Sequence, residues 1–251
     1  MRNSRRTLGL IVLLGSLALS SCSVGSVGEI DTAPAPSSQS VPATLPPSEV
    51  PTSDSAIPLT ADQSVEFAES LALLEQIEVK GRAPKTGYDR DLFGKGWKDP
   101  DRNGCDARND ILARDLTNVE FREARIECVV LRGVLNDPYS GKEIPFTRGQ
   151  GTSTAVQIDH VVALSDAWQK GAQQWDAETR LNFANDPLNL MAVDGPTNAA
   201  KGDKDAATWL PPNRSFRCSY VSRQTQVKAK YQAWMTQAEH EAISKLLRDC
   251  L

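Results

Sequence analysis

Apolar and polar positions alternate very unevenly along this chain, and the unevenness divides it. Residues 1–22 have a basic start (Arg2, Arg5, Arg6), an apolar run from Leu8 to Leu19, and then Ser20-Ser21-Cys22. About a dozen apolar residues are too few to span a bilayer but suit the apolar region of an export leader. Residues 23–60 show no periodicity; they hold seven prolines, eight serines and no Lys or Arg. Such a stretch buries too little apolar area to offset its ordering entropy, so it is expected to act as an extended tether. Helical spacing begins after Thr60-Ala61-Asp62-Gln63, a capping-box sequence followed by Val65, Ala68, Leu71, Ala72 and Ile77. The pattern predicts a helix over 61–79.

Residues 81–104, rich in Gly, Pro, Asp and Lys, read as a long loop carrying Tyr88, Phe93 and Trp97. A short helix is expected over 106–116. Segments 127–135 and 143–147 flank Asn136-Asp137-Pro138-Tyr139-Ser140-Gly141, a dense turn signal, and predict a hairpin. Helices are expected at 217–235 and, behind the capping sequence Thr236-Gln237-Ala238-Glu239, at 237–249. The domains expected are thus a leader (1–22), a tether (23–60), a leading helix (61–80) and a folded domain (81–251). No heptad pattern argues for an oligomer, so a monomer is expected.

Charge changes the picture only once the chain is divided. The whole chain carries 28 Lys+Arg and 32 Asp+Glu, a formal net charge of −4. Residues 78–251 hold 25 of the basic and 24 of the acidic side chains, a net of +1. A near-neutral domain lacks the basic footprint of a tight non-specific DNA binder, but it can still engage a polyanion locally.

Five cysteines are present. Leu19-Ser20-Ser21-Cys22 resembles a bacterial lipobox, which would make Cys22 a lipid anchor to a membrane; a plain leader that happens to contain a cysteine is the alternative. The remaining Cys105, Cys128, Cys218 and Cys250 suggest two disulfides in an exported chain, with three pairings open. Proximity in sequence favours Cys105–Cys128 and Cys218–Cys250. None has C-x-x-C spacing or a nearby His, which disfavours zinc.

The residues with chemical potential lie in 155–210. Ala155-Val156-Gln157-Ile158-Asp159-His160-Val161-Val162 reads as a strand, with Asp159 and His160 on opposite faces unless the strand end re-aims one. Helical stretches are expected at 166–173 and 176–185. Asp186-Pro187-Leu188-Asn189 is then a turn into a second strand ending near Asp194-Gly195, and Pro196 opens a short polar helix containing Asn198 and Lys201.

Asp-His on a first strand, Asn-Leu at a second and Asn-x-x-Lys-Gly-Asp on a helix resemble the HNH nuclease motif. Together with Gly104-Cys105-Asp106-x-Arg108-Asn109-Asp110 and Trp209-Leu210-Pro211, they resemble HNH family proteins that include the C-terminal domain of GmrSD-type restriction endonucleases. The resemblance spans roughly 88–250. It implies an α+β fold with a ββα-metal core, surrounding helices and a β-hairpin, and a metal-dependent endonuclease acting on nucleic acid, DNA favoured over RNA.

By the same resemblance, His160 is the general base, an imidazole able to take a proton from water near neutral pH. Asp159 and Asn198 are metal ligands for Mg²⁺, with Mn²⁺ as a second possibility. Asn198 departs from members that carry His there, which puts the preferred ion in doubt. Asn189 supports the loop and orients the base, Lys201 contacts a phosphate, and Arg108 is a looser phosphate-binding candidate.

Plainer readings compete: His160 as a buried histidine satisfied by a backbone carbonyl, Asp159 as a strand-end cap, Asn189 and Asn198 as turn and helix caps, Lys201 as a solvated side chain. Trp168, Trp175, Trp209 and Trp234 read as packing residues rather than a base-stacking platform. At the level of the whole protein, the alternatives are a non-catalytic surface-binding lipoprotein and a phosphohydrolase of nucleotides or polyphosphates. Either way the protein is expected outside the cytoplasm, membrane-anchored or secreted.

Overall fold

The computed structural model describes residues 60–251 except 124 and 126, so the expected leader, the tether and Cys22 lie outside the described residues. Helix α1 (Ala61–Leu74) opens with the capping box expected: the Thr60 hydroxyl accepts from the Gln63 N–H and the Gln63 side chain accepts from the Thr60 N–H. It ends five residues before the periodicity does. Met235 N–H donates to Glu78 O, Lys80 N–H donates to Met235 O, and this pairing of Val79 alongside Met235 pulls the chain out of the helix. Phe67, Leu74 and Ile77 are buried in one cluster with Val161, Met191, Val193, Tyr220, Val221, Ile243 and Leu247. The leading helix therefore packs into a core shared with residues beyond 80.

The loop after α1 contains a 3₁₀ turn (Arg90–Phe93), pinned by the buried Phe93 ring against Trp168 and Phe183. Helix α2 (Ala107–Asp115) starts at Asp106, whose carboxylate accepts from the Asn109 N–H. Next come strands β1 (Leu116–Phe121), β2 (Val130–Asn136) and β3 (Glu143–Thr147), an antiparallel sheet in the order β1-β2-β3. The hairpin expected is β2-β3. Strand β1 was not expected, because Thr117, Asn118 and Glu120 interrupt its apolar pattern and it follows a helix directly.

A second sheet pairs β4 (Val156–His160) antiparallel with β5 (Leu190–Asp194), from Val156 opposite Asp194 to His160 opposite Leu190. Between them lie α3 (Leu164–Ala167), a π-helical segment (Trp168–Ala172) and α4 (Ala177–Asn185). The single helix expected at 166–173 is thus broken, with Lys170 and Gly171 out of helical conformation. Helix α5 (Gly195–Lys201) follows β5, capped by Asp194 and with Pro196 in its first turn. Helices α6 (Arg217–Tyr231) and α7 (Gln237–Asp249) complete the chain.

The β4-β5 hairpin is covered on both faces. Val156, Ile158, Leu190 and Ala192 pack with α2 and the three-stranded sheet, while Met191 and Val193 pack with α1, α6 and α7. This period-2 division sends adjacent strand residues into different surroundings. Both favoured disulfides are present, Cys105–Cys128 and Cys218–Cys250; the second joins the start of α6 to the end of α7. Among the described residues no helix is long and apolar enough to cross a membrane.

Candidate functional site

Asp159 and His160 end β4 and lie on opposite faces, as the strand period requires. Asp159 turns towards Tyr139, whose hydroxyl donates to its Oδ2 at 2.6 Å. His160 turns the other way and stacks on Trp97, with ring centroids 5.8 Å apart and planes 12° from parallel. Because His160 is the last strand residue, both side chains still border one cavity of about 350 Å³, together with Gln157, Ser165, Asn198 and Asp203. A smaller cavity of about 170 Å³, lined by Phe93, Trp97, Ala184 and Asn185, borders His160 from the Trp97 side.

The imidazole geometry defines its chemistry. His160 Nε2 lies 2.9 Å from the Ala184 carbonyl oxygen. A carbonyl oxygen only accepts, so Nε2 carries the proton and Nδ1 keeps its lone pair. Burial drives the His160 pKa down to about 3; the Ala184 bond opposes this, and the charges of Arg90 and Lys201 reinforce it. The ring is therefore neutral at physiological pH. A histidine satisfied by a backbone carbonyl and a histidine available as a base are here the same residue, because the two nitrogens have different tasks.

Asn189, fully buried at the start of β5, organises the loop around this histidine. Its Oδ1 accepts from the Val162 N–H at 2.9 Å, and its Nδ2 donates to the carbonyls of Val162 and Phe183 at 3.3 Å. It thus ties the segment after His160 to the end of α4, where the Ala184 carbonyl that holds Nε2 resides. Asn185 extends the same frame, accepting from the Lys98 N–H at 2.9 Å and fixing the backbone beside Trp97.

Lys201 corrects the sequence reading. It was expected to contact a phosphate, but it is completely buried on α5. Its ammonium lies 3.0 Å from both Asp159 oxygens and donates to the His160 carbonyl at 2.9 Å. It is neither solvated nor placed to reach a phosphate; it holds the strand end in register. Arg108, the looser phosphate candidate, donates from Nη2 to the carbonyls of Ser153 and Val156, at 3.5 and 3.3 Å, at the start of β4. Sequence could not show either set of contacts, since the partners lie 41 to 48 residues away.

Asn198 borders the cavity with Asp159, and its Nδ2 donates to Gln157 Oε1 at 2.9 Å. Among the described residues no three His, Cys, Asp or Glu side chains gather in a metal-binding cluster. The residues that border the cavity offer two carboxylates, Asp159 and Asp203, the second already paired with Lys85, together with the Ser165 hydroxyl, the amides of Gln157 and Asn198 and the His160 ring. This set fits a hard cation that keeps most of its water, not zinc, which takes three or four nitrogen and sulfur ligands. Burial holds the Asp159 carboxyl above its usual pKa range even though Lys201 and Tyr139 pull it down.

Two residues that sequence reasoning did not single out complete the site. Trp97 forms the stacking wall of His160, and Arg90 borders both cavities. Both come from the loop 81–104, where the absence of periodicity hid their placement.

No solved structure matches the chain. A protein of Arthroderma benhamiae (strain ATCC MYA-4681 / CBS 112371), described as an uncharacterized secreted protein, is 37% identical over 184 residues, covering 71% of this chain and 83% of that protein. A family model described as GmrSD restriction endonucleases, C-terminal domain, matches residues 106–246, which include β4, β5, α5 and every residue around His160 except those of the loop 81–104. The chain belongs to the family of GmrSD restriction endonuclease C-terminal domains.

Proposed function

We propose that this protein is an exported endonuclease that hydrolyses phosphodiester bonds of nucleic acid, DNA favoured, with His160 as general base. The family supports nucleic acid as the substrate class. The observation that carries the reading is the Nε2–Ala184 hydrogen bond, which leaves Nδ1 of a neutral imidazole as the proton acceptor beside the cavity. Nδ1 takes a proton from water as the water oxygen attacks phosphorus, and the leaving oxygen departs opposite.

The sequence β4, β5, α5, with Asp159 and Asn198 brought to one cavity, supports a ββα-metal core for this site. Asp159 and Asn198 would hold the ion, Mg²⁺ being favoured; when bound, it supplies charge stabilisation to the phosphorane and to the departing oxygen. Tyr139 and Lys201 fix the Asp159 carboxylate, and Asn189 fixes the backbone on which His160 is seated. Export is supported by the two disulfides and by the secreted relative. A lipid anchor at Cys22 rests on the lipobox resemblance.

The test is a substrate panel (duplex DNA, single-stranded DNA and RNA) incubated with the full chain, with and without EDTA, beside His160→Ala. Loss of the base is expected to slow cleavage by roughly 10²–10⁴-fold. Cleavage by His160→Ala at the wild-type rate would remove His160 from the mechanism.

A further inference from the structure

The two cations expected from sequence to bind phosphate are committed elsewhere, so a phosphodiester at His160 needs another partner. Four basic side chains lie near enough to be considered. Lys201 is fully buried on Asp159. Arg108 donates from Nη2 to the carbonyls of Ser153 and Val156 and does not line either cavity. Lys85 pairs with Asp203 at 2.9 Å. Arg90 is different: it borders both the 350 and the 170 Å³ cavities, which meet at His160 and Leu164.

Its surroundings leave its charge uncompensated. The neighbouring carboxylates are engaged, since Asp89 caps the 3₁₀ turn by accepting from the Asp91 N–H at 2.9 Å, and Asp91 pairs with Lys95 at 3.5 Å. No carboxylate pairs with Arg90 among the described residues. Its backbone is nonetheless well fixed. Phe93, three residues on, is buried against Tyr88, Trp168 and Phe183, and the Leu92 carbonyl accepts from Arg180 Nε at 3.1 Å. An exposed guanidinium on a pinned turn at the junction of two cavities is a preorganised donor fork for a phosphate oxygen pair.

We propose that Arg90 binds the phosphodiester at the His160 site, engaging its non-bridging oxygens where the two cavities meet. The assignment rests on the reading of this site as a phosphodiesterase and adds the residue that positions the substrate. It also gives the 81–104 loop a function, the delivery of Arg90 to one end of the cavity and of Trp97 to the face of the base.

The test uses the full chain with Arg90→Gln, Arg90→Lys and, as a control for loss of charge in the same loop, Lys95→Gln. Two readouts are taken: cleavage kinetics, and anisotropy of a labelled oligonucleotide in the His160→Ala background, where binding is read without turnover. Arg90→Gln is expected to raise KM more than tenfold, to weaken binding, and to reduce the slope of log affinity against log salt by about one unit. Arg90→Lys is expected to recover part of the loss, and Lys95→Gln to show no loss and behave as wild type. If the wild type binds but does not cleave, the enzymatic reading fails while the binding arm still decides Arg90. Unchanged binding by Arg90→Gln, an equal loss in Lys95→Gln, or no oligonucleotide binding by the wild type would overturn the proposal.

Discussion

Two parts of this molecule bury lysines completely, and they do so to opposite ends. Away from the cavities, Lys170 and Lys228, both at 0% exposure, join Arg82 in ion pairs with Asp166, Asp205 and Glu239 at 2.5–3.3 Å. Three cations face three carboxylates, and the carboxylates gain. Burial alone would raise the Asp205 pKa, but Lys170 and Arg82 bring it down to about 2, and Lys228 and Lys170 likewise lower Asp166. At the site a single lysine, Lys201, faces a single carboxylate, and there burial wins and the Asp159 pKa stays raised. The first assembly is closed and its charge is spent on cohesion between the loop at Arg82, the broken helix and α6 and α7. The second is a single pair on a residue that borders a cavity, where the proposed ion would meet the Asp159 carboxylate. Burial of an ion pair does not by itself separate a structural pair from a functional one; the cavity beside Asp159 is what distinguishes the two here.

The largest effect is expected in the closed assembly. Glu239→Ala takes one carboxylate from two fully buried ammonium groups, leaving Lys170 on Asp166 and Asp205 and Lys228 on Asp166 alone, and should cost roughly 3–5 kcal/mol of stability in urea unfolding. A cost below about 1 kcal/mol would show that the network is not the clamp that its geometry implies.

Lys201→Met should cost less, roughly 1–3 kcal/mol, because Asp159 keeps Tyr139 and has the cavity beside it. The variant sharpens the contrast in a second way. Removing the ammonium removes a like charge from beside an incoming dication, so Mg²⁺ should raise the melting temperature of Lys201→Met more than that of the wild type. An equal or smaller rise would mean that Lys201 and the ion do not share the Asp159 carboxylate.

Much of the scaffold was legible because its signals are local. The Thr60 capping box, the Asp106 and Asp176 helix starts, the 136–141 turn and both disulfide pairings are decided within a few residues or by chain proximity. The Asp159–His160 alternation was legible for the same reason, since strand period alone sets it. What was not legible depends on long-range partners. Thr236-Gln237-Ala238-Glu239 looks like a capping box, and the Thr236 hydroxyl does accept from the Glu239 N–H, but the Glu239 carboxylate is buried on Lys170 and Lys228 instead. Lys201 looked like a phosphate ligand because its spacing from Asn198 fits the motif; α5 buries that side chain against the strand end. Arg90 and Trp97 sit in a loop with neither periodicity nor caps, so nothing local marked them.

The central claim is that His160 is held as a neutral Nε2–H tautomer with Nδ1 free to accept a proton. The chain has only two histidines, so selective ¹⁵N-histidine labelling yields two ring systems, and the one absent from His160→Ala is His160. A depressed pKa means that the proton is gained only far below 6.5, so lowering the pH from 8 to 5 should leave the ring neutral, against a folded value of about 3. The account predicts ring ¹⁵N shifts of a protonated Nε2 and an unprotonated Nδ1 that stay constant across that range. A ring protonated at Nδ1, or one that titrates near pH 6.5, would contradict it.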